Sequence, residues 1–171
     1  KMSKRDLKKY LASLDKQQVE EQLLELYDKF SEVKVFYDFV FNPKEEKLIQ
    51  EAKVKISNEY FPTKSKRPKL RRSVAQKIIK HFLVLGVDAF AVADIMLYTI
   101  EVAMKYSAKR EVRYASFFKS IQNSYEQVVH YTIANGIIAD YKKRILDVYD
   151  EVNRQKWENR YEFEHIKDQL D

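Results

Sequence analysis

The chain has 171 residues, 45% of them apolar and 34% charged, with a formal net charge of +6. It contains no cysteine, which excludes disulfides, thiolate zinc sites and thiol nucleophiles, and its two glycines and three prolines provide little turn chemistry for a β-rich fold. A chain of about 150 residues can bury roughly 70% of the surface of its unfolded form, which is enough for one core. We therefore predict a single domain over residues 1–171, an all-α, irregular helical bundle of about seven to nine helices with a central buried helix.

Three amphipathic helices are predicted in residues 1–41. Ser3, Asp15 and Ser31 stand where a helix begins, and each is followed by apolar residues at helical spacing. The residues of these apolar stripes are Leu7, Tyr10, Leu11, Leu14, Val19, Leu23, Leu26, Tyr27, Phe30, Val35, Phe36, Phe39 and Val40. Four aromatic residues between positions 36 and 41 predict that the third helix is buried on two sides.

A fourth helix is predicted from about Pro43 to Tyr60. Asn42 has the residue type of an N-cap, Pro43 suits the first helical position, and Glu45 completes a capping pattern three residues after the cap. Pro62 and Pro68 then interrupt the helical pattern. Residues 62–72 are therefore predicted to form an exposed connection.

The central helix is predicted in the second half of the chain. Ser73 is placed as the cap of a helix that ends at Gly86, where glycine can adopt the left-handed conformation. Asp88 starts the next helix, which runs to about Ser107 and is apolar on nearly every face, so we expect it to lie at the centre.

Two more helices and a charged C-terminal segment follow. The first helix spans about Arg113 to Asn135 and is closed by Gly136, and the second spans Ile138 to Val152. Residues 153–171 contain Trp157 among many charges and are predicted to form a peripheral helix that docks on the bundle or on a partner.

The sequence favours a cytoplasmic protein without a membrane segment. No apolar stretch of the kind found in secretory signals follows the N-terminus, and the absence of cysteine fits a reducing compartment. The most apolar stretch, residues 82–104, contains Asp88, Asp94 and Glu101, and each acid would cost roughly 2.5 to 3.5 kcal/mol near the centre of a bilayer.

The predicted connection is strongly basic. Residues 1–86 contain 20 basic and 12 acidic side chains, against 12 and 14 in residues 87–171. Much of this asymmetry comes from six basic residues with no acid among them: Lys64, Lys66, Arg67, Lys69, Arg71 and Arg72. Beside the start of a helix, such a cluster indicates a surface for phosphate or another anion. The alternative is a solvated loop whose charges pair with acids of the fold, such as Asp94, Glu101 or Asp88.

Acid–base chemistry and metal binding receive less support. Asp94 and Glu101 lie seven residues apart on one side of the central helix and could act as a catalytic pair, or could bond a neighbouring Lys77 or Lys80.

The three histidines of the chain are His81, His130 and His165. Only Glu162 and His165 have the Glu-x-x-His spacing, whereas a helical di-iron site needs two such pairs. We expect no metal and no cofactor, since two distant glycines cannot form a nucleotide-binding loop.

Three parts of the chain resemble an uncharacterised bacterial, all-helical family known only as a domain of unknown function. They are Ser3 to Tyr27, the stretch from Pro43 through Tyr60-Phe61-Pro62, and the lead Arg71-Arg72-Ser73-Val74-Ala75-Gln76 into a helix. The resemblance implies a small cytoplasmic helical protein and brings no activity, cofactor or catalytic residue with it.

Three hypotheses for function follow. The first is a non-enzymatic interaction or scaffold protein that binds another protein through a helix face or the basic connection. The alternative is a nucleic-acid-associated protein whose basic segment 64–72 contacts phosphates, or another polyanion. The third is an enzyme that uses Asp94 or Glu101 in a cleft shared with His81 or the basic residues. The oligomeric state does not follow from the sequence.

Overall fold

The computed structural model describes residues 1–64 and 67–171. Within these ranges the chain forms nine α-helices and one short 3-10 helix and no strand, which confirms the predicted all-α class. The chain divides into two compact units, which we call unit 1 (Lys1–Pro43) and unit 2 (Lys44–Asp171). The assignment of residues 1–171 to one domain stays a prediction.

Unit 1 contains the three predicted N-terminal helices, α1 (Lys4–Ala12), α2 (Lys16–Lys29) and α3 (Ser31–Phe41). Ser3 caps α1 by accepting a hydrogen bond from the backbone of the third helical residue, whose side chain accepts one from Ser3 in return. Asp15 caps α2 through the same reciprocal pattern. Both predicted N-caps are confirmed.

None of the helical residues of unit 1 is buried. The prediction that the aromatic residues 36–41 are buried on two sides is therefore wrong, because Phe36 and Phe41 are exposed and Tyr37 and Phe39 are only half-buried. Helical periodicity shows that a helix has an apolar face, but it does not determine whether the same chain covers that face.

Unit 2 contains the remaining helices. They are α4 (Glu45–Tyr60), α5 (Arg72–Leu85), α6 (Ala89–Lys109), α7 (Ala115–Ala134), α8 (Ile138–Arg154) and α9 (Arg160–Lys167), followed by a 3-10 turn at Asp168–Leu170. As predicted, α6 is central: ten of its residues are buried, and it packs against α4, α5, α7 and α8. Asp88 caps it, and the Tyr125 hydroxyl of α7 donates to the buried carbonyl of Ile145.

Two predicted helix starts are wrong. α4 begins at Glu45 with Lys44 as its N-cap, because Asn42 ends α3 and donates its backbone N–H to Asp38. α5 begins at Arg72, so that Ser73 lies inside the helix and makes no capping bond.

The two glycines end α5 and α7 in the same way. Gly86 and Gly136 have φ angles of 77° and 67°, in the left-handed region that favours glycine. In both cases the next residue is buried and its N–H bonds back to the helix, from Val87 to Phe82 and from Ile137 to Thr132. The predicted glycine caps are confirmed.

The C-terminal segment packs on unit 2. Trp157, Phe163 and Ile166 are buried, and α9 lies against α7 and α8. The Phe163 ring is 5.0 Å from that of Tyr125 and 5.7 Å from that of Trp157, measured between ring centroids. This segment therefore contributes to the core of unit 2, while Tyr161 on its outer side stays exposed.

Candidate functional site

Only part of the predicted basic cluster faces solvent freely. Lys64, Arg67 and Lys69 are exposed in the segment between α4 and α5. Lys66 lies outside the described residues. Arg71 and Arg72, the last two members of the cluster, are held by other residues of unit 2.

Arg71 is clamped to Glu59 near the end of α4. Its Nη2 donates to Oε1 of Glu59 at 2.8 Å, its Nε to Oε2 at 3.1 Å, and its backbone N–H also to Oε2 at 3.2 Å. These hydrogen bonds hold the pKa of the buried Glu59 carboxyl below its usual value, against the opposing effect of burial. The Glu59 carbonyl also accepts from the N–H groups of Lys69 and Leu70, so the clamp fixes the end of the basic segment.

Arg72 anchors the start of α5 to α7. Its Nε donates to the Ser124 hydroxyl at 2.7 Å, and burial lowers the pKa of its half-buried guanidinium. Arg71 and Arg72 thus form part of the folded framework. The partner that the sequence missed for Arg71 is Glu59, twelve residues earlier, rather than the acids of α6.

The start of the connection lies beside the C-terminal end of α6. Lys109 lies over the Phe61 ring, 5.8 Å from its centroid, and the Tyr106 and Phe61 rings are 6.0 Å apart. Lys109 and Arg110, both exposed, therefore adjoin the start of the connection. We call the set Lys64, Arg67, Lys69, Lys109 and Arg110 the basic surface. Lys109, the last residue of α6, and Arg110, which follows it, were not predicted as members because they are distant along the chain from the other three.

The two acids of α6 are bound in an ion cluster. Arg144 of α8 donates to Asp94 at 2.8 Å and also to Glu101, and Lys53 of α4 lies 2.9 Å from Asp94. Burial alone would raise the pKa of Asp94, but hydrogen bonds and charge from Lys53 and Arg144 outweigh it and lower that pKa. The predicted partners Lys77 and Lys80 are not the ones used. A lowered pKa keeps Asp94 ionised, which does not support a role as a general acid.

The histidines do not converge on a site. His81 lies in a shallow groove of unit 2 with Lys55 and Lys77, whereas the His130 ring contacts Gln169 at 2.9 Å. Across the described ranges no group of three histidine, aspartate or glutamate side chains is arranged to hold a metal ion.

The most unusual surface of the chain is apolar and lies on unit 1. Thirteen large apolar residues within its 43 positions are exposed: Met2, Leu7, Tyr10, Leu11, Leu23, Leu24, Leu26, Tyr27, Phe30, Val35, Phe36, Val40 and Phe41. We call this set the apolar surface of unit 1. α2 and α3 also border a groove of about 340 Å³, in which Leu24, Tyr27 and Phe41 are among the lining residues. The sequence showed most of these residues as apolar stripes, but it predicted that the third helix would be buried.

Comparison with known proteins identifies a family and no activity. The model of a family of unknown function, DUF6155, matches residues 2–171, which confirms the resemblance to a domain of unknown function. Neither a curated protein nor a solved structure matches the chain. None of the described helices is both long and apolar enough to cross a membrane.

Proposed function

We propose that the chain, which belongs to DUF6155, a family of unknown function, is a helical interaction protein that binds a protein partner through the apolar surface of unit 1. The observation that carries this proposal is the contrast between the two units. Every α-helix of unit 2 buries part of its apolar stripe, whereas α1, α2 and α3 have equally regular apolar stripes and no buried residue.

The exposure of so many apolar side chains favours a partner for the apolar surface of unit 1. The largest contiguous apolar patch of a typical monomer measures roughly 300 to 600 Å², and larger patches mark interaction sites. A unit of 43 residues without a buried residue gains little stability from its own core. Covering its tyrosine, phenylalanine and leucine side chains with a partner would supply the missing burial, and aromatic residues are enriched at the centres of interfaces.

A photo-crosslinking residue tests this proposal. We expect a light-activated phenylalanine analogue in place of Leu24 to form covalent adducts with another protein chain in cells. The same analogue in place of Val84 should form none, although Val84 on α5 of unit 2 is exposed to a similar degree, 65% against 63%. The measurement is the mass of adducts on denaturing gels. Equal adduct yields at both positions would argue against an interface on unit 1.

The basic surface supports a second candidate function, the binding of a polyanion such as nucleic acid. Three of its members lie in one connection and two at the end of α6, and all five are exposed. Lysine and arginine side chains spaced over such a surface can contact successive phosphates without reading base edges. The clamp at Arg71 favours this function because it holds the end of the connection in place.

Salt-dependent binding tests the second candidate. If the five basic residues contact three to five phosphates, affinity for a duplex or RNA probe should fall roughly 40- to 500-fold between about 50 and 200 mM salt. The substitutions Lys64→Glu, Arg67→Glu and Lys69→Glu together should abolish binding, as measured by fluorescence anisotropy. A matched variant with Lys55, Lys119 and Lys142 changed to glutamate has the same charge change elsewhere on unit 2 and should retain most of it. Equal losses of affinity in both variants would show that the net charge of the chain, rather than the basic surface, determines binding.

A further inference from the structure

The charges of unit 1 are separated between its helices. Residues 1–12 contain five basic side chains and one acidic one, a net charge of +4. Residues 13–43 contain three basic and seven acidic side chains, a net charge of −4. Unit 1 as a whole is therefore neutral, whereas unit 2 has 24 basic and 18 acidic side chains and a net charge of +6.

We infer that the partner of the apolar surface is a second copy of the same chain, an inference that rests on the proposed function. In a pair with two-fold symmetry, any contact of one copy is repeated by the other. If α1 of each copy lies against α2 and α3 of its partner, positive side chains meet negative ones twice. The apolar stripes of the same helices are then covered between them.

This charge pattern disfavours partners of a single sign. A strongly acidic protein would be repelled by α2 and α3, and a strongly basic one by α1, since like charges in an interface cost free energy. A second copy provides a positively charged α1 opposite α2 and α3, and negatively charged α2 and α3 opposite α1.

A specific interface buries about 800 Å² on each partner, and the exposed apolar area of unit 1, summed over its three helices, is of this order. The five aromatic members of the apolar surface are between 38% and 75% exposed: Tyr10, Tyr27, Phe30, Phe36 and Phe41. Because a fully covered aromatic side chain buries 150 to 250 Å², these five offer roughly 500 Å². The eight aliphatic members bring the total into the range of a standard interface.

Analytical ultracentrifugation of the full chain tests the inference first. We expect the wild-type protein to sediment as a dimer at micromolar concentration. Leu24→Glu, which places a charge in the groove of unit 1, should weaken the dimer by about tenfold or more. The control Val84→Glu places the same charge at a similarly exposed position of unit 2 and should leave it intact.

A charge exchange between helices then identifies a second copy as the partner. Lys4 and Lys8 flank Leu7 and Leu11 on α1 by helical spacing, and Glu21 and Asp28 flank Leu24 on α2. A variant with Lys4→Glu and Lys8→Glu should be monomeric, and so should one with Glu21→Lys and Asp28→Lys. Mixed in equal amounts, the two variants should form dimers with one copy of each, because both contacts again pair opposite charges.

The mixture also controls for folding, since restored association requires that both variants are folded. A wild-type chain that stays monomeric, a dimer unaffected by Leu24→Glu, or a mixture that does not associate would overturn the inference. Binding of an apolar fluorescent dye separates the two proposals. If the wild-type chain is a monomer that binds the dye, and Leu24→Glu abolishes this binding, the apolar surface is still presented to a different protein. If the monomer binds no dye, the proposed function is overturned as well.

Discussion

Replacing Phe163 with alanine is expected to lower the free energy of unfolding by about 3 to 5 kcal/mol. The Phe163 side chain is fully buried and contacts the rings of Tyr125 and Trp157. Its removal leaves a cavity between α9 and α7 that rigid aromatic neighbours cannot fill. Urea denaturation followed by circular dichroism measures the change.

Tyr161, two residues earlier on α9, provides the matched control. It is 60% exposed, and its ring contacts the guanidinium of Arg160 at the surface. Tyr161→Ala should therefore change stability by only about 0.5 kcal/mol. Similar losses in the two variants would mean that α9 does not dock through the face that contains Phe163.

Removing the charge of Arg144 is expected to have the second-largest effect. Arg144→Gln leaves the carboxylates of Asp94 and Glu101 without the guanidinium that joins them. Breaking a fully buried pair costs about 3 to 5 kcal/mol, but these side chains are between a quarter and two-fifths exposed, so we expect about 2 kcal/mol at neutral pH. Lys53 stays close to Asp94 and limits the loss.

The loss of stability in Arg144→Gln should depend on pH in a defined direction. The folded-state pKa of Asp94 lies below the ordinary aspartate value of 3.8, so its contribution to stability is fully present above that value. The contribution disappears as the pH falls through the lowered folded-state pKa. The stability difference between wild type and Arg144→Gln should therefore be constant near neutrality and shrink below about pH 4.

Lys143 is the control for this prediction. It precedes Arg144 on α8, is 88% exposed, and pairs with Asp147 across one helical turn. Lys143→Gln removes the same charge but should leave stability almost unchanged, because an exposed ion pair contributes little. A pH-independent loss in Arg144→Gln would show that lost packing, rather than the ion cluster, determines its stability.

The sequence predicted helix ends where the deciding interaction is local. Ser3 and Asp15 bond to the third residue of their own helices, and Gly86 needs only its own backbone freedom. Asn42 failed as a cap because it already ends the preceding helix, so two elements compete for the same residue. Ser73 failed because contacts at Arg71 and Arg72 with distant residues determine where α5 begins.

At the candidate site, too, local features could be predicted from the sequence, whereas contacts between distant residues could not. The exposed part of the basic cluster could be found from composition, but its extension to Lys109 depends on how α6 ends beside Phe61. The clamp joins Glu59 of α4 to Arg71, twelve positions later and across an irregular connection, where no periodic pattern applies. The apolar stripes of unit 1 were visible in the sequence, whereas their exposure is a tertiary property.

The scarcity of glycine affects the unfolded chain as well as the fold. Among the described residues the backbone turns left-handed at four positions, and only Gly86 and Gly136 do so without a side chain. Leu70 and Lys156 adopt a φ of 56°, a conformation that costs roughly 1 to 2 kcal/mol. Glycine at either position would relieve this strain but would also enlarge the unfolded ensemble, at a cost of about 0.4 to 1 kcal/mol. The folded chain is therefore strained at Leu70 and Lys156, while its denatured state has fewer conformations than it would have with glycine at these positions.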